Sequence, residues 1–163
     1  MNIKLNNITI SSIAHITEDE DKVLSSMAYF IPPEIDDDDI NISTIDTEGC
    51  FGNPIRIHEI VLTKKPAKKT FKRIMDLLKR DERNVNKLKN DISTRIEKGK
   101  IYLRFDKQLA CVGKCKLVDG DDVVRIVLGF NVYATKEKEE AVKETILNEL
   151  DNWDFSVIEK NKI

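Results

Sequence analysis

Two stretches of alternating side chains, IYLRF at Ile101–Phe105 and VVRIVLGFNVY at Val123–Tyr133, most constrain what this chain can become. Apolar residues recur there at nearly every second position, the period of a strand with one buried face. Such strands require a sheet and an apolar cover on one side of it. The cover is written at helical spacing: Val23, Leu24, Met27, Ala28 and Ile31; Ala67, Phe71, Ile74, Met75 and Leu78; Val85, Leu88, Ile92 and Ile96; Val142, Ile146 and Leu150.

Punctuation between these blocks gives an order. Ile3–Ile16 reads as a first strand, and Thr17 with Glu20 makes a capping box for the first helix, which Pro32-Pro33 ends. After the acidic loop Asp36–Asp39 a second strand begins at Ile40, and EGCFGNPI turns the chain into a third, Ile55–Thr63. There the apolar phase slips between Ile55, Ile57 and Ile60, Leu62, which predicts a bulge near His58-Glu59. Pro66 suits the first residue of the second helix; Asp81 caps the third and Gly99 closes it.

Beyond Ile101–Phe105, Phe105–Gln108 turns the chain, so that Leu109, Cys111, Cys115 and Leu117 line a further strand, and Asp119-Gly120 signals a hairpin before Val123. Thr135 caps the last helix, over whose end Trp153 closes. The order β-α-β-β-α-α-β-β-β-α, rich in hairpins, predicts one α+β domain over residues 1–163, a mostly antiparallel sheet with helices packed on one face.

The 163 residues are 40% hydrophobic and 34% charged, a globular composition. No apolar run reaches the 18 or so residues of a membrane helix, and nothing at the N-terminus reads as a leader. Three cysteines, Cys50, Cys111 and Cys115, suit a reduced, cytoplasmic setting better than a disulfide framework. The net charge of −2 conceals segregation: Lys64–Lys116 holds 18 Lys and Arg against 6 Asp and Glu, the remainder 9 against 23.

No phosphate-binding glycine loop, zinc helix or nucleophile elbow is present. Cys111 and Cys115 on one strand would lie about 13 Å apart, too far to share a metal. The aspartate run lacks the glycine and twelfth-position glutamate of a calcium loop. His15 and His58 have no local partners for a triad. The expectation is a non-enzymatic protein without cofactor or metal.

The surplus cations suggest a polyanion instead. Lys65, Lys68, Lys69 and Lys72 fall on one helical face and are expected to meet phosphates, assisted by Arg104, Lys107, Lys114 and Lys116. On the sheet side away from the helices the alternation puts Tyr102, Arg104, Lys114, Lys116, Arg125, Asn131 and Tyr133, a set suited to stacking bases. The same side holds Ala110, Val112 and Val127, an apolar seam that a second copy of the chain would bury, with Tyr102, Arg125 and Tyr133 as anchors. RNA and a dimeric scaffold without RNA are the two readings.

Three segments, SIAHITEDEDKV (Ser12–Val23), EGCFGNPI (Glu48–Ile55) and YLRFDKQLACVGK (Tyr102–Lys114), resemble an archaeal family of small uncharacterised proteins described as RNA-binding and exosome-associated. The resemblance implies an α+β fold similar to that of the L-five-type ribosomal proteins, and a homodimer. It assigns the cysteines no role.

Overall fold

The computed structural model describes residues 3–132 and 137–151; Tyr133, Thr135 and Trp153 lie outside them. Strands β1 (Ile3–His15), β2 (Asn41–Glu48), β3 (Pro54–Thr63), β4 (Ile96–Glu97), β5 (Lys100–Asp106) and β6 (Val123–Val132) form one antiparallel sheet in the order β2-β3-β1-β6-β5-β4. Helices α1 (Glu20–Ala28), α2 (Lys64–Lys79), α3 (Glu82–Arg95), α4 (Lys107–Cys111) and α5 (Lys138–Asp151) accompany it. The architecture is α+β, as the two periods require.

One sheet face makes the core. Ile8 and Ile10 stand opposite Leu62 and Ile60 on one side and Leu128 and Ile126 on the other, and Ile101, Leu103 and Phe105 extend the layer. All are at most 2% exposed, in one cluster with Met27, Ile74, Leu78, Leu88, Val142 and Ile146 from the helices. Among the described residues no helix covers the other, bare face. Ile13, Val61 and Ile45 are 39%, 41% and 58% exposed there.

That bare face explains the slipped phase in β3. The strand pairs with β1 from Ile55 to Thr63 without interruption, so no bulge lies at His58-Glu59. Ile55 and Ile57 point to the bare side while Ile60 and Leu62 point to the core. The irregularity falls instead in β1, between Leu5 and Asn7, where the Asn7 carboxamide fills the space a side chain at Gly129 would need.

Asp19, not Thr17, caps α1: its carboxylate accepts from the Asp21 N–H at 3.0 Å. Thr17 is spent in the turn that leaves β1, closed by the Glu18 N–H donating to His15 O at 2.9 Å. Asp81 does cap α3. Gly99 serves elsewhere: with Lys98 at φ 52° and Gly99 at φ 80° it forms the tight turn between β4 and β5, the left-handed pair that a two-residue hairpin demands.

Residues 109–117 do not form a strand. The Asp106 carboxylate accepts from the Leu109 N–H at 2.9 Å and starts the short helix α4, and the chain turns at Gly113 (φ 79°). The chain returns to β5 at residues 116–118, where Leu117 bridges Phe105 while the Asp106 N–H donates to Lys116 O and the Val118 N–H to Arg104 O, both at 2.9 Å; Phe105 also pairs with Val124 of β6. Leu117 and β6 thus flank β5 on opposite sides, and Asp119-Gly120 lies in a crossing loop, not a hairpin. Ala110 turns into the core and Val112, 67% exposed, sits in the loop, so neither contributes to a seam on the sheet.

Candidate nucleic-acid interface

α2 begins where Thr63 leaves β3 in extended conformation. Pro66 is its third residue, still inside the first turn, where a missing N–H leaves no bond unmade. Ala67, Thr70, Ile74, Met75, Leu77 and Leu78 are buried, which turns Lys65, Lys68, Lys69 and Lys72 outward. Among the described residues none of these four has a carboxylate within ion-pair distance. The first turn carries no acid, so Lys64 and Lys65 stand at the positive end of the helix dipole. Cations there are disfavoured by about 0.3–1 kcal/mol each, and a bound anion reverses the sign.

Two arginines that the spacing argument passed over continue this row. Lys69, Lys72, Arg73 and Arg80 line one cleft of about 280 Å³ together with Pro32, Glu34 and Asp76. Arg73 lies one turn beyond Lys69 and Arg80 ends the helix, so the same 3.6-residue period would have included both. The Arg73 guanidinium stands over the Tyr29 ring, 5.6 Å from its centre, and burial, reinforced by Cys115 and opposed by the Arg80 and Arg73 charges, raises the Tyr29 phenol above its ordinary value. Burial also pushes the adjacent Cys115 thiol up to about 12, leaving it an inert packing group.

Lys114 and Lys116 are exposed on the loop that follows α4, not on a strand. Asn84 ties that loop to α3, donating to Cys115 O at 2.8 Å and accepting from the Leu117 N–H at 3.0 Å. Lys116 is near enough to Asp81 to help hold its carboxyl below the usual range, behind the larger effect of the Arg83 hydrogen bond. The loop that carries them is thus held against the start of α3, next to the Arg80 end of α2.

Lys107, expected to assist at phosphates, is instead buried and bonded within the fold. It is 3% exposed, donates to Ile13 O and the Glu18 carboxylate at 2.9 Å each, and reaches the Asp122 carboxylate at 2.7 Å. Burial would push the Asp122 carboxyl up, but its hydrogen bonds with Lys107 and Gln108 hold it below its ordinary value. This ammonium pins the end of β1 to α4 and to the loop before β6, and no phosphate can reach it without breaking those bonds.

Tyr102, Arg104, Arg125 and Val127 do share the bare face. Arg104 and Arg125 are direct cross-strand partners, like charges that repel unless something anionic is near. Arg104 donates to Gly120 O at 3.2 Å and lies 3.6 Å from Asp121. Arg125 covers the Tyr102 ring, 5.3 Å from its centre, which occupies one of the two faces a base would stack on. The sheet group and the α2 row are on opposite sides of the sheet, so the candidate cations do not form one surface.

Enzyme-like groupings are few. His58 is buried, shares a 3.0 Å hydrogen bond with the Thr44 hydroxyl and lies 3.5 Å from the Glu20 carboxylate, which Arg56 also holds at 2.7 Å. Hydrogen bonding to Arg56 keeps the Asp46 carboxyl below its ordinary range. Among the described residues, no group of three His, Cys, Asp or Glu could hold a metal ion and no helix is long and apolar enough to cross a membrane.

A six-stranded antiparallel sheet backed by helices defines an α+β protein, and among the described residues four lysines of α2 have no carboxylate within ion-pair distance. The chain belongs to the RNA-binding family, whose model matches residues 7–130. It is 51% identical over 146 residues to the uncharacterized protein MJ0213 of Methanocaldococcus jannaschii, covering 90% of this chain and 98% of that one. It is 32% identical over 154 residues to the RNA-binding protein PAB1135 of Pyrococcus abyssi, covering 93% and 97%. Among solved structures, Mth689 of Methanothermobacter thermautotrophicus superposes with a TM-score of 0.70 at 26% identity, covering 90% of this chain and 98% of that one.

Proposed function

We propose that this chain acts as one domain, in a reduced cytoplasmic setting, and binds RNA through phosphate contacts from Lys65, Lys68, Lys69 and Lys72, continued by Arg73, Arg80, Lys114 and Lys116. The observation that carries the reading is the four exposed α2 lysines without a carboxylate partner among the described residues, in a member of an RNA-binding family. Point charges on flexible stems grip a backbone without reading its sequence. In a salt titration with structured RNA, a protein making about six phosphate contacts loses roughly a thousandfold in affinity between 50 and 200 mM salt. A flat response contradicts the reading.

A second feature supports a homodimer. Ile13, Ile45, Ile57 and Val61 make an apolar group on the bare face, beside Tyr102, Arg125 and Val127. A second copy is the partner such a face suits, with the arginines and tyrosine as anchors. Ile57→Lys should then convert the dimer to monomer in sedimentation while leaving RNA affinity within about twofold, since the α2 row is on the other side of the sheet. A monomeric parent protein would remove the dimer reading and leave RNA binding untouched.

A further inference from the structure

The cationic cleft along α2 adjoins a second and larger concavity. A groove of about 920 Å³ runs between α1, the segment after it and the start of β2, walled by Leu24, Ala28, Ile31, Ile35, Ile42 and Ile60. Its volume is that of a small-molecule site. Arg73 and Pro32 line both the groove and the cleft, so the two are continuous.

Arg73 is fixed at this junction. Its Nε donates to Tyr29 O at 2.8 Å and its guanidinium carbon stands 5.6 Å from the centre of the Tyr29 ring. Its two terminal nitrogens bond nothing among the described residues. A guanidinium held by one edge, with the other edge free, is the geometry for a bidentate grip on phosphate oxygens. Lys69, Lys72 and Arg80 outnumber Glu34 and Asp76 on one side, and the mainly apolar groove, which Asp21 and Asp37 also line, opens on the other.

We infer that this pair of concavities takes one unpaired nucleotide, its phosphate on Arg73 and its base in the apolar groove. The inference rests on the RNA-binding reading and narrows it: a stacked, paired base cannot enter the groove, so the protein favours single-stranded segments over duplex. The adjoining lysines then hold the flanking phosphates.

The test uses the full chain with a short single-stranded oligoribonucleotide, a duplex of the same length, and 5′-AMP. Ala28 is exposed, so Ala28→Phe fills the groove without touching the core. It should lower single-strand affinity about tenfold and leave duplex affinity unchanged, because burying the apolar surface of one base against aliphatic walls contributes about that much. Arg73→Lys, which keeps the charge and removes the fork, should lower it by a similar factor. In amide NMR spectra, millimolar 5′-AMP should shift Ala28, Ile31, Ile35 and Arg73. RNA binding that survives both substitutions within twofold, or 5′-AMP that moves none of those amides, overturns the inference while the RNA reading stands. Shifts with 5′-AMP in a protein that binds no RNA support the nucleotide site and refute the RNA reading.

Discussion

α2 and α3 are consecutive, both basic, and electrically opposite in effect. Every cation of α3 is answered: Arg83 by Asp81 at 2.9 Å, Lys87 by Asp119 at 2.7 Å, Lys89 by Asp151 at 2.6 Å, and Arg95 by Asp91 at 2.7 Å and Asp119 at 3.0 Å. Along α2, Lys65, Lys68, Lys69 and Lys72 face solvent without such partners among the described residues. The α3 cations are paired with carboxylates; the four α2 lysines are not, among the described residues, and these are the ones proposed to meet a ligand. Counting residues cannot tell them apart, because the difference lies in where the carboxylates of distant segments arrive.

The largest effect expected from this contrast is on binding. Replacing Lys65, Lys68, Lys69 and Lys72 by Gln should weaken single-stranded RNA binding about a hundredfold near 0.1 M salt and reduce the slope of log affinity against log salt by about 3. Stability should stay within about 0.5 kcal/mol, as for other exposed changes. Fluorescence anisotropy and urea denaturation read the two quantities; a stability loss without an affinity loss would erase the distinction between the helices.

The converse substitution is Arg95→Met in α3. Arg95 is 9% exposed and its fork holds both Asp91 oxygens, at 2.7 and 3.0 Å. Losing these charge-assisted bonds should cost about 2 kcal/mol in urea denaturation, with RNA affinity unchanged within twofold. An affinity loss as large as that of the α2 variant would mean that α3 also touches RNA.

The smallest effect is with acid. The Lys87 hydrogen bond holds the Asp119 carboxyl below its ordinary value, and the Arg83 hydrogen bond does the same for Asp81. A carboxyl whose folded value is depressed adds stability that is present above its unfolded value, about 3.9, and is lost as pH falls through the folded one. The thermal midpoint should therefore begin to fall below about pH 4. Asp119→Asn should flatten that decline; an unchanged acid limb would show that these pairs contribute nothing measurable.

The strands and long helices were legible because both periods are clean: Ile8 and Ile10, or Ile101, Leu103 and Phe105, fall into the core at the spacing read from the chain. α4 was not legible. Lys107 is decided by Ile13 and Glu18, 94 and 89 positions away, and without them KQLAC reads as strand or turn. The phase slip in β3 was a true signal given the wrong cause, since apolar residues on an uncovered face look like a bulge when every isoleucine is assigned to the core. The outward placement of Lys65, Lys68, Lys69 and Lys72 was readable from helical spacing alone. Their separation from Arg104 and Arg125 was not, because it depends on which side of the sheet the helices cover.

The most direct measurement is lysine acetylation with and without bound RNA, read by mass spectrometry. Lys65, Lys68, Lys69 and Lys72 should become protected, while Lys87 and Lys89 on α3 and Lys4 and Lys100 on the bare face keep their reactivity. Protection of Lys4 and Lys100, with the α2 lysines still reactive, would place RNA on the open sheet and contradict the claim that α2 carries the contact.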